Sequence, residues 1–190
     1  MPLAQGRYLI AQGGSNKTVN EHYTTLDQTV PRYAAWRGQS KGLDIIKIDR
    51  FGLRASGLWP ENPLAYYSYD APVLAPCDGS VVEALDGIRD MPIPQMDREH
   101  MLGNHVIIRC DGFFVVLAHF REGSILITNG QTIKAGDKLG GMGNSGNSAE
   151  PHLHIHAQKD LPAGAPISGN PLALTVDGKF YVRNDRIVVE

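Results

Sequence analysis

The chain has no long apolar run, and its 190 residues carry a formal charge of only −2 at pH 7. A helix needs about 20 apolar residues to span a bilayer, so the sequence predicts no transmembrane segment. It also has no stripe of lysine and arginine to neutralise phosphates, so nucleic acid is not an expected partner. With 42% hydrophobic residues, the length suits a single domain with its own core.

The first 14 residues, MPLAQGRYLIAQGG, show no sign of a secretion signal. They lack the basic segment, the apolar stretch and the small-residue cleavage site of such a signal. A location in the cell envelope or outside the cell is therefore expected only if a signal lies outside this chain. The alternative is a protein that works inside the cell. The sequence does not fix the oligomeric state.

Cysteine is scarce. The two cysteines, Cys77 and Cys110, lie 33 positions apart and form no CxxC pair. They are either bridged or buried separately as small apolar side chains. The second interpretation is favoured, because free cysteine is among the most buried residue types.

Helical periodicity is also weak, and only residues 20–36 are expected to hold a helical turn or two. Asp-Gly and Asn-Gly turns recur between short runs of β-branched and aromatic residues, which is a strong hairpin signal. The predicted strands are HVIIRC and FFVVLAHF around one turn, LALTV and KFYV around another, and the separate runs SVVEAL, SILIT and PHLHIHAQ. The fold class is therefore mostly β, with antiparallel sheets in a sandwich or a partly open barrel.

No repeat or linker divides the chain, so residues 1–190 are expected to form one domain. Two stretches without strand patterning, about 50–71 and 88–103, are interpreted as loop insertions. The first of them is rich in aromatic side chains, namely Trp59, Tyr66, Tyr67 and Tyr69. Long loops in a small domain often carry binding residues, so both are expected to border the functional site.

The run GNSGNSAEPHLHIHAQ, residues 143–158, contains three histidines at alternate positions. A strand directs alternate side chains to one face, so His152, His154 and His156 should share a face opposite Leu153 and Ile155. Imidazoles grouped in this way are typical of a metal site, although other binding modules use the same spacing. His156 lies one pair further along, and we expect it at the rim of the site or behind it, without a direct role.

A catalytic zinc usually takes three protein ligands and leaves a fourth position for water. Asp44 is the strongest carboxylate candidate, because in GLDIIKID it alternates onto the same face as Ile46 and Ile48. A buried carboxylate needs a compensating cation. That cation is either a metal or, in the alternative interpretation, an arginine or lysine in an ordinary salt bridge.

Four other histidines lie outside the repeat, and a lone histidine is more often structural than catalytic. His119 is the best of them, because it ends the predicted strand FFVVLAHF, where a side chain can emerge into a cleft. His22, in the polar stretch TVNEHYTT, is considered only because a further ligand is needed. His100 and His105 have no such argument in their favour.

Three segments make the pattern specific. APVLAPCDGSVVEALDG, GNHVIIRCDGFFVVLAHF and GQTIKAGDKLGGMGNSGNSAEPHLHIH, in this order, span residues 71–158. Together they resemble the core of the lysostaphin-type zinc metallopeptidases, the glycyl-glycine endopeptidases that cut peptidoglycan peptides. The resemblance implies a β-rich fold with long loops around a metal cleft. It also implies a zinc held by two histidines and one aspartate, with two more histidines beside it.

Matched by position, His154 and Asp44 correspond to zinc ligands of the family, and His119 and His152 to its two catalytic histidines. The other histidine ligand departs from the common pattern His-x-Gly-x-Asp, because Ser40 stands at its place in SKGLD. Some relatives draw this ligand from an upstream Asn-x-His, and NEH makes His22 the replacement. The alternative is that the metal site is broken.

A second departure is Leu117, where many relatives carry a tyrosine two residues before the catalytic histidine. The tyrosines of residues 66–69 are the candidate substitutes. The glycines and serines of GNSGNS are expected to form a tight turn that lets a substrate backbone come close. The residues expected to bind substrate are Tyr66, Tyr67, Asn144 and Ser145.

The function predicted on this basis is that of a zinc-dependent endopeptidase acting on the stem or cross-bridge peptides of peptidoglycan. One alternative is an inactive member that binds wall peptides or activates another hydrolase, and Ser40 is the feature that favours it. A third interpretation is a phosphoryl carrier like the glucose-type phosphotransferase IIA proteins. That class uses two facing histidines but needs neither Asp44 nor the HxH pair.

Overall fold

Antiparallel pairing joins eleven strands into one large sheet and one small sheet. The computed structural model describes residues 1–190. The strands are β1 (Gly6–Gln12), β2 (Leu43–Ile48), β3 (Pro72–Leu74), β4 (Gly79–Leu85), β5 (Asn104–Arg109), β6 (Phe114–Phe120), β7 (Thr132–Ile133), β8 (Lys138–Gly141), β9 (Leu153–Gln158), β10 (Pro171–Leu172) and β11 (Arg186–Val189). The helices are short: α1 (Pro31–Ala34) and three 3-10 helices at Glu21–Leu26, Arg37–Lys41 and Pro63–Ala65. None of the helices combines the length and the hydrophobicity that crossing a bilayer requires.

The large sheet has the order β11-β1-β2-β9-β6-β5-β4-β7, and β10 also pairs with β9. The small sheet contains only β3 and β8. The terminal strands of the large sheet, β11 and β7, do not pair with each other, so the sheet does not close into a barrel. The prediction of a mostly β, antiparallel fold is confirmed.

The main core lies on one face of the large sheet, because the inward positions of its central strands are apolar. Ile45 on β2, Val106 on β5, Leu117 on β6 and Ile155 on β9 belong to one cluster of 24 buried residues. Burying these side chains stabilises the fold by about 25 cal/mol per Å² of apolar surface removed from water. Alternation then directs the intervening residues, including Asp44 and His154, to the opposite face.

The strand predictions are confirmed in part. β5 and β6 form the expected hairpin, and Gly112 in its turn has a φ of 80°, a value that glycine adopts without strain. SILIT forms no strand, and LALTV and KFYV meet only through a single bridge between Val176 and Lys179. In these segments β-strand propensity alone did not predict the structure, because a strand forms only where the tertiary fold supplies a neighbouring strand to pair with.

The favoured interpretation of the cysteines is wrong. Cys77 and Cys110 form a disulfide, with their Cα atoms 6.0 Å apart. Cys110 directly follows β5 and Cys77 lies just before β4, and these two strands are paired. Strand pairing thus brings together two residues that are remote in sequence, and the chain has no free cysteine.

Candidate active site

Asp44 lies at the centre of a group of histidines. It faces His154 directly across the β2–β9 ladder. Its Oδ1 atom lies 2.9 Å from Nδ1 of His154, 3.0 Å from Nε2 of His22 and 3.5 Å from Nε2 of His152. None of its ion-pair partners is an arginine or a lysine, so the alternative of an ordinary salt bridge is wrong.

The electrostatic environment favours the ionised form of Asp44. Burial alone would raise the pKa of this carboxyl group. The charges of His22 and His152, together with hydrogen bonds from His152 and His154, outweigh burial and hold the pKa well below its usual value. The site therefore keeps a carboxylate among imidazoles.

His22 reaches Asp44 because Asn20 anchors the segment that carries it. The side chain of Asn20 accepts a hydrogen bond from the backbone N–H of His22 and so caps the 3-10 helix Glu21–Leu26. Its amide group donates to the carbonyl of Gly42, two residues before Asp44. The Asn-x-His pair thus fixes the ring beside the carboxylate, whereas Ser40 is fully buried and its hydroxyl has no hydrogen-bond partner.

The donor atoms of His22, Asp44 and His154 all lie within 4.8 Å of one another. Two imidazole nitrogens and one carboxylate oxygen form a donor set that suits a transition metal such as zinc and leaves room for a fourth ligand. The three side chains therefore fit a metal ion chemically.

His119 and His152 lie beside this cluster, with their ring centroids 4.8 Å apart. Nδ1 of His119 donates a hydrogen bond to the carbonyl of Ser145 at 2.8 Å, and Nδ1 of His152 donates to the carbonyl of Glu150 at 2.8 Å. Since a carbonyl can only accept, both rings carry their proton on Nδ1. Their Nε2 atoms are free of backbone partners, and both residues line the cleft.

The two rings experience opposite electrostatic effects. Burial, followed by the charges of His152 and His154, holds the pKa of His119 well below its usual value. Burial also acts to lower the pKa of His152, but the charge and hydrogen bond of Asp44 outweigh it and raise that pKa. Adjacent groups with divergent pKa values are typical of acid–base chemistry.

The GNSGNS loop supports His119 from behind. Asn144 and Ser145 are fully buried, and the hydroxyl of Ser145 donates to the carbonyl of Phe120 while accepting from the backbone N–H of Asn104. Neither side chain is accessible to a substrate, contrary to the prediction that they bind one. They hold the Ser145 carbonyl in place under His119, whose backbone has a positive φ of 64°.

The tyrosines proposed as substitutes for a phenol at Leu117 do not line the cleft. Tyr66 is 5% exposed and packs on Ala55 and Ile93, and it borders a separate pocket formed by residues 53–60. Tyr67 is half-exposed and likewise lies outside the cleft. Tyr69 donates its hydroxyl hydrogen bond to Asp90. The structure therefore places neither Tyr66 nor Tyr67 in the main cleft, and their binding of substrate stays a prediction.

The cleft itself has a volume of about 450 Å³, and sequence reasoning missed much of its wall. One side comes from the short helices after residue 20 and includes Arg32, Tyr33 and Trp36. The wall also includes Met96 and Met101 from the loop insertion at 88–103, which borders the site as predicted. The sequence contains little indication that Tyr33 and Trp36 line the cleft. The only signal was that aromatic side chains follow His22 closely in the chain.

His156 lies behind the metal cluster, which is one of the two positions expected for it, and not at the rim of the site. It is fully buried, and its Nδ1 atom lies 2.9 Å from Nε2 of His154. The sequence correctly places it on the same strand face as His154. The direct contact between the two rings was not predicted.

A protein family and several solved structures are similar to this chain. The family model described as "Peptidase family M23" matches residues 65–168. No curated protein matches the chain significantly. Among solved structures, the M23 metalloprotease pseudoalterin from the deep sea is 16% identical with a TM-score of 0.50, covering 100% of this chain and 96% of that one.

Two further structures are similar over part of the chain. The catalytic domain of lysostaphin from Staphylococcus simulans is 22% identical with a TM-score of 0.39, covering 53% of this chain and 74% of that one. A zinc-containing peptidase from Vibrio cholerae is 22% identical with a TM-score of 0.36, covering 67% of this chain and 37% of that one. This chain spans 38% of the lysostaphin chain in the solution structure of that protein. Since the family model matches more than half of its residues, the chain belongs to peptidase family M23.

Proposed function

We propose that this protein is a zinc-dependent endopeptidase that hydrolyses stem or cross-bridge peptides of peptidoglycan. One observation carries the proposal: Asp44 meets His22, His152 and His154 at the wall of an open cleft. The same cleft receives the free Nε2 atom of His119. Family membership supports peptide-bond hydrolysis as the reaction class.

In this proposal His22, Asp44 and His154 hold the metal. The two neutral imidazoles and one carboxylate leave a dication with a net positive charge. A zinc ion held by these residues would supply two things, a lower pKa for the attacking water, towards about 7, and polarisation of the scissile carbonyl group. Ser40 favoured an inactive protein in the sequence, but the position of His22 beside Asp44 supports an intact donor set.

His119 and His152 would carry the proton transfers. Because each ring holds its own proton on Nδ1, each presents Nε2 for exchange with water or substrate. One ring accepts the proton of the attacking water at Nε2 and returns it to the leaving amine. The other, when protonated on both nitrogens, donates a hydrogen bond from Nε2 to the carbonyl oxygen as negative charge develops there.

The disulfide bears on where the protein works. Disulfides persist in oxidising compartments and are rare where thiols are kept reduced. The bond between Cys77 and Cys110 therefore supports the cell envelope or the extracellular space as the location, where peptidoglycan is the accessible substrate.

The test combines metal analysis with digestion. We expect about one zinc per chain in protein never exposed to a chelator, together with release of peptides from purified peptidoglycan and defined muropeptides. His22→Ala, Asp44→Ala and His154→Ala should each abolish zinc binding. His100→Ala is the matched control, because His100 is exposed and pairs only with Asp97. Protein without zinc, or zinc retained by His22→Ala, would contradict the proposal.

A further inference from the structure

Asp90 joins the loop insertion at 88–103 to the GNSGNS loop. Its Oδ1 atom accepts a hydrogen bond from the backbone N–H of Asn144 at 2.6 Å. Its Oδ2 atom accepts from the hydroxyl group of Tyr69 at 2.9 Å and from the backbone N–H of Glu122 at 3.1 Å. Asp90 is neither a candidate metal ligand nor part of the cleft wall, so any role in the site must come from the groups that it holds.

Asp90 and the residue after it hold both polar groups of the Asn144 backbone. The N–H of Asn144 donates to Asp90, and its carbonyl accepts from the backbone N–H of Met91 at 3.1 Å. The side-chain amide of Asn144 donates to the carbonyl of Met91 at 2.7 Å. An isolated β-bridge also pairs Asp90 with Ser145. These bonds together fix where the backbone of Asn144 and Ser145 lies.

The same stretch of backbone carries the carbonyl that orients His119. The Ser145 carbonyl accepts from Nδ1 of His119 at 2.8 Å, so the neutral ring carries its proton on Nδ1 and has a lone pair on Nε2. A displaced carbonyl would release this constraint, and the neutral ring would then populate both of its tautomers. The position of the Ser145 carbonyl therefore decides whether Nε2 is ready to accept a proton.

We propose that Asp90 is a positioning residue that holds the Ser145 carbonyl against His119 through the backbone N–H of Asn144. This inference rests on the proposed function insofar as His119 is a catalytic residue. The bond suits this role, because a carboxylate acceptor makes a hydrogen bond roughly twice as strong as one between neutral groups. Asn144 is fully buried, so removal of the carboxylate would leave its N–H without a protein partner.

Close packing on both sides keeps the carboxylate of Asp90 in place. A Cβ atom added at Gly143 would lie 2.6 Å from Oδ1 of Asp90 and 2.3 Å from the backbone nitrogen of Arg121, so only a glycine lets the carboxylate approach the loop here. On the other side, the Tyr69 hydroxyl donates to Oδ2. Tyr69 was a candidate to replace the missing phenol at Leu117, and in this proposal it supports Asp90 from outside the cleft.

The test measures the His119 tautomer and the hydrolysis rate in the same variants. Long-range ¹H–¹⁵N spectra of the wild-type protein should show neutral His119 protonated at Nδ1 alone, and Asp90→Ala should lose this single pattern. Zinc content should stay at the wild-type level, while kcat for defined muropeptides falls by roughly 10–100-fold with little change in KM. Asp90→Asn should recover most of kcat, because its amide oxygen can still accept from Asn144. Tyr69→Phe should lower kcat less than Asp90→Ala, because it leaves the bond to Asn144 in place.

Asp86→Ala is the matched control that separates positioning from folding. Asp86 accepts from the backbone N–H groups of Gly123 and Ile125 at 2.9 and 3.0 Å, and none of its bonds reaches the GNSGNS loop. In thermal unfolding this variant should lose stability as Asp90→Ala does, yet keep the wild-type His119 spectrum and kcat. An unchanged His119 spectrum in Asp90→Ala, or an equal fall of kcat in Asp86→Ala, would overturn the inference. If the wild-type protein hydrolyses no muropeptide, the proposed function fails, while the spectra still decide whether Asp90 orients His119.

Discussion

The carboxylate of Asp44 and the imidazole of His154 are direct cross-strand partners, with 2.9 Å between Oδ1 and Nδ1 and 110 sequence positions between the residues. The register of β2 against β9 therefore sets the geometry of the cluster. A shift by one residue would turn one of the two side chains to the other face of the sheet. The same pairing places Ile45 opposite Leu153 in the core, so the packing that stabilises the fold also fixes the site.

His119→Ala should separate metal binding from catalysis. The ring lies beside the metal cluster but donates only to the carbonyl of Ser145, so we expect full zinc content. Hydrolysis of defined muropeptides should fall by about 10²–10⁴-fold, the usual contribution of a general acid or base. Unchanged turnover would remove His119 from the mechanism, and loss of zinc would make it a ligand.

Asn144→Ala should weaken the loop beneath His119. The buried Asn144 amide donates to the carbonyl of Met91 and its oxygen accepts from Ser148, so truncation leaves buried polar groups without partners. We expect the free energy of unfolding to fall by about 1–3 kcal/mol in urea titrations. Asn147→Ala is the matched control, since that side chain makes only a 3.4 Å contact with the Met101 sulfur. Equal stability in both variants would contradict this account.

Removal of the Cys77–Cys110 disulfide should destabilise the protein. The bond closes a loop between residues separated by 33 positions, and the loop-entropy model assigns about 3–4 kcal/mol to such a loop. Urea denaturation of the double variant Cys77→Ala/Cys110→Ala, compared with the oxidised wild-type protein, measures this difference. Reduced wild-type protein is the control, because it lacks the disulfide but keeps both cysteine side chains. A difference below 1 kcal/mol would show that the bridge is not a major source of stability.

Stability should fall in alkali through Tyr8. This residue is fully buried on β1, and burial raises the pKa of its phenol to about 12. The folded state then holds this proton more tightly than the unfolded state, where the pKa is about 10. The contribution is fully present below pH 10 and is lost as the pH rises towards 12.

Urea titrations at pH 8 and pH 11 test this effect. Tyr8→Phe should show a smaller loss of stability between the two conditions than the wild-type protein. Tyr67→Phe removes a hydroxyl from a half-exposed side chain and should behave like the wild-type protein. An identical loss in Tyr8→Phe and wild type would assign the effect to other groups.

Local patterns were sufficient for the parts of the site that depend on strand alternation. The spacing of His152 and His154 and the position of Asp44 among isoleucines predicted shared faces, and the structure shows these faces. His22 was harder, because its position depends on the Asn20 bond to Gly42, which only folding creates. The resemblance to a family, through its Asn-x-His pattern, indicated His22 as a ligand, which residue spacing alone did not.

The errors share a cause in long-range packing. Tyr66 and Tyr67 looked like cleft residues because they lie in a long aromatic loop, but that loop packs around its own small cluster. The disulfide depends on the pairing of β4 with β5, which brings distant cysteines together. Neither relationship has a signal in a short window of sequence.

The ladder between β2 and β9 contains only three paired positions. An ion bound across so short a seam would act as a noncovalent crosslink between the amino-terminal segment and the remainder of the sheet. Saturating zinc should then slow hydrogen exchange selectively at the amides of β2 and β9, in proportion to ligand concentration relative to Kd. Metal occupancy would thereby govern how often strands β2 and β9 separate by local unfolding.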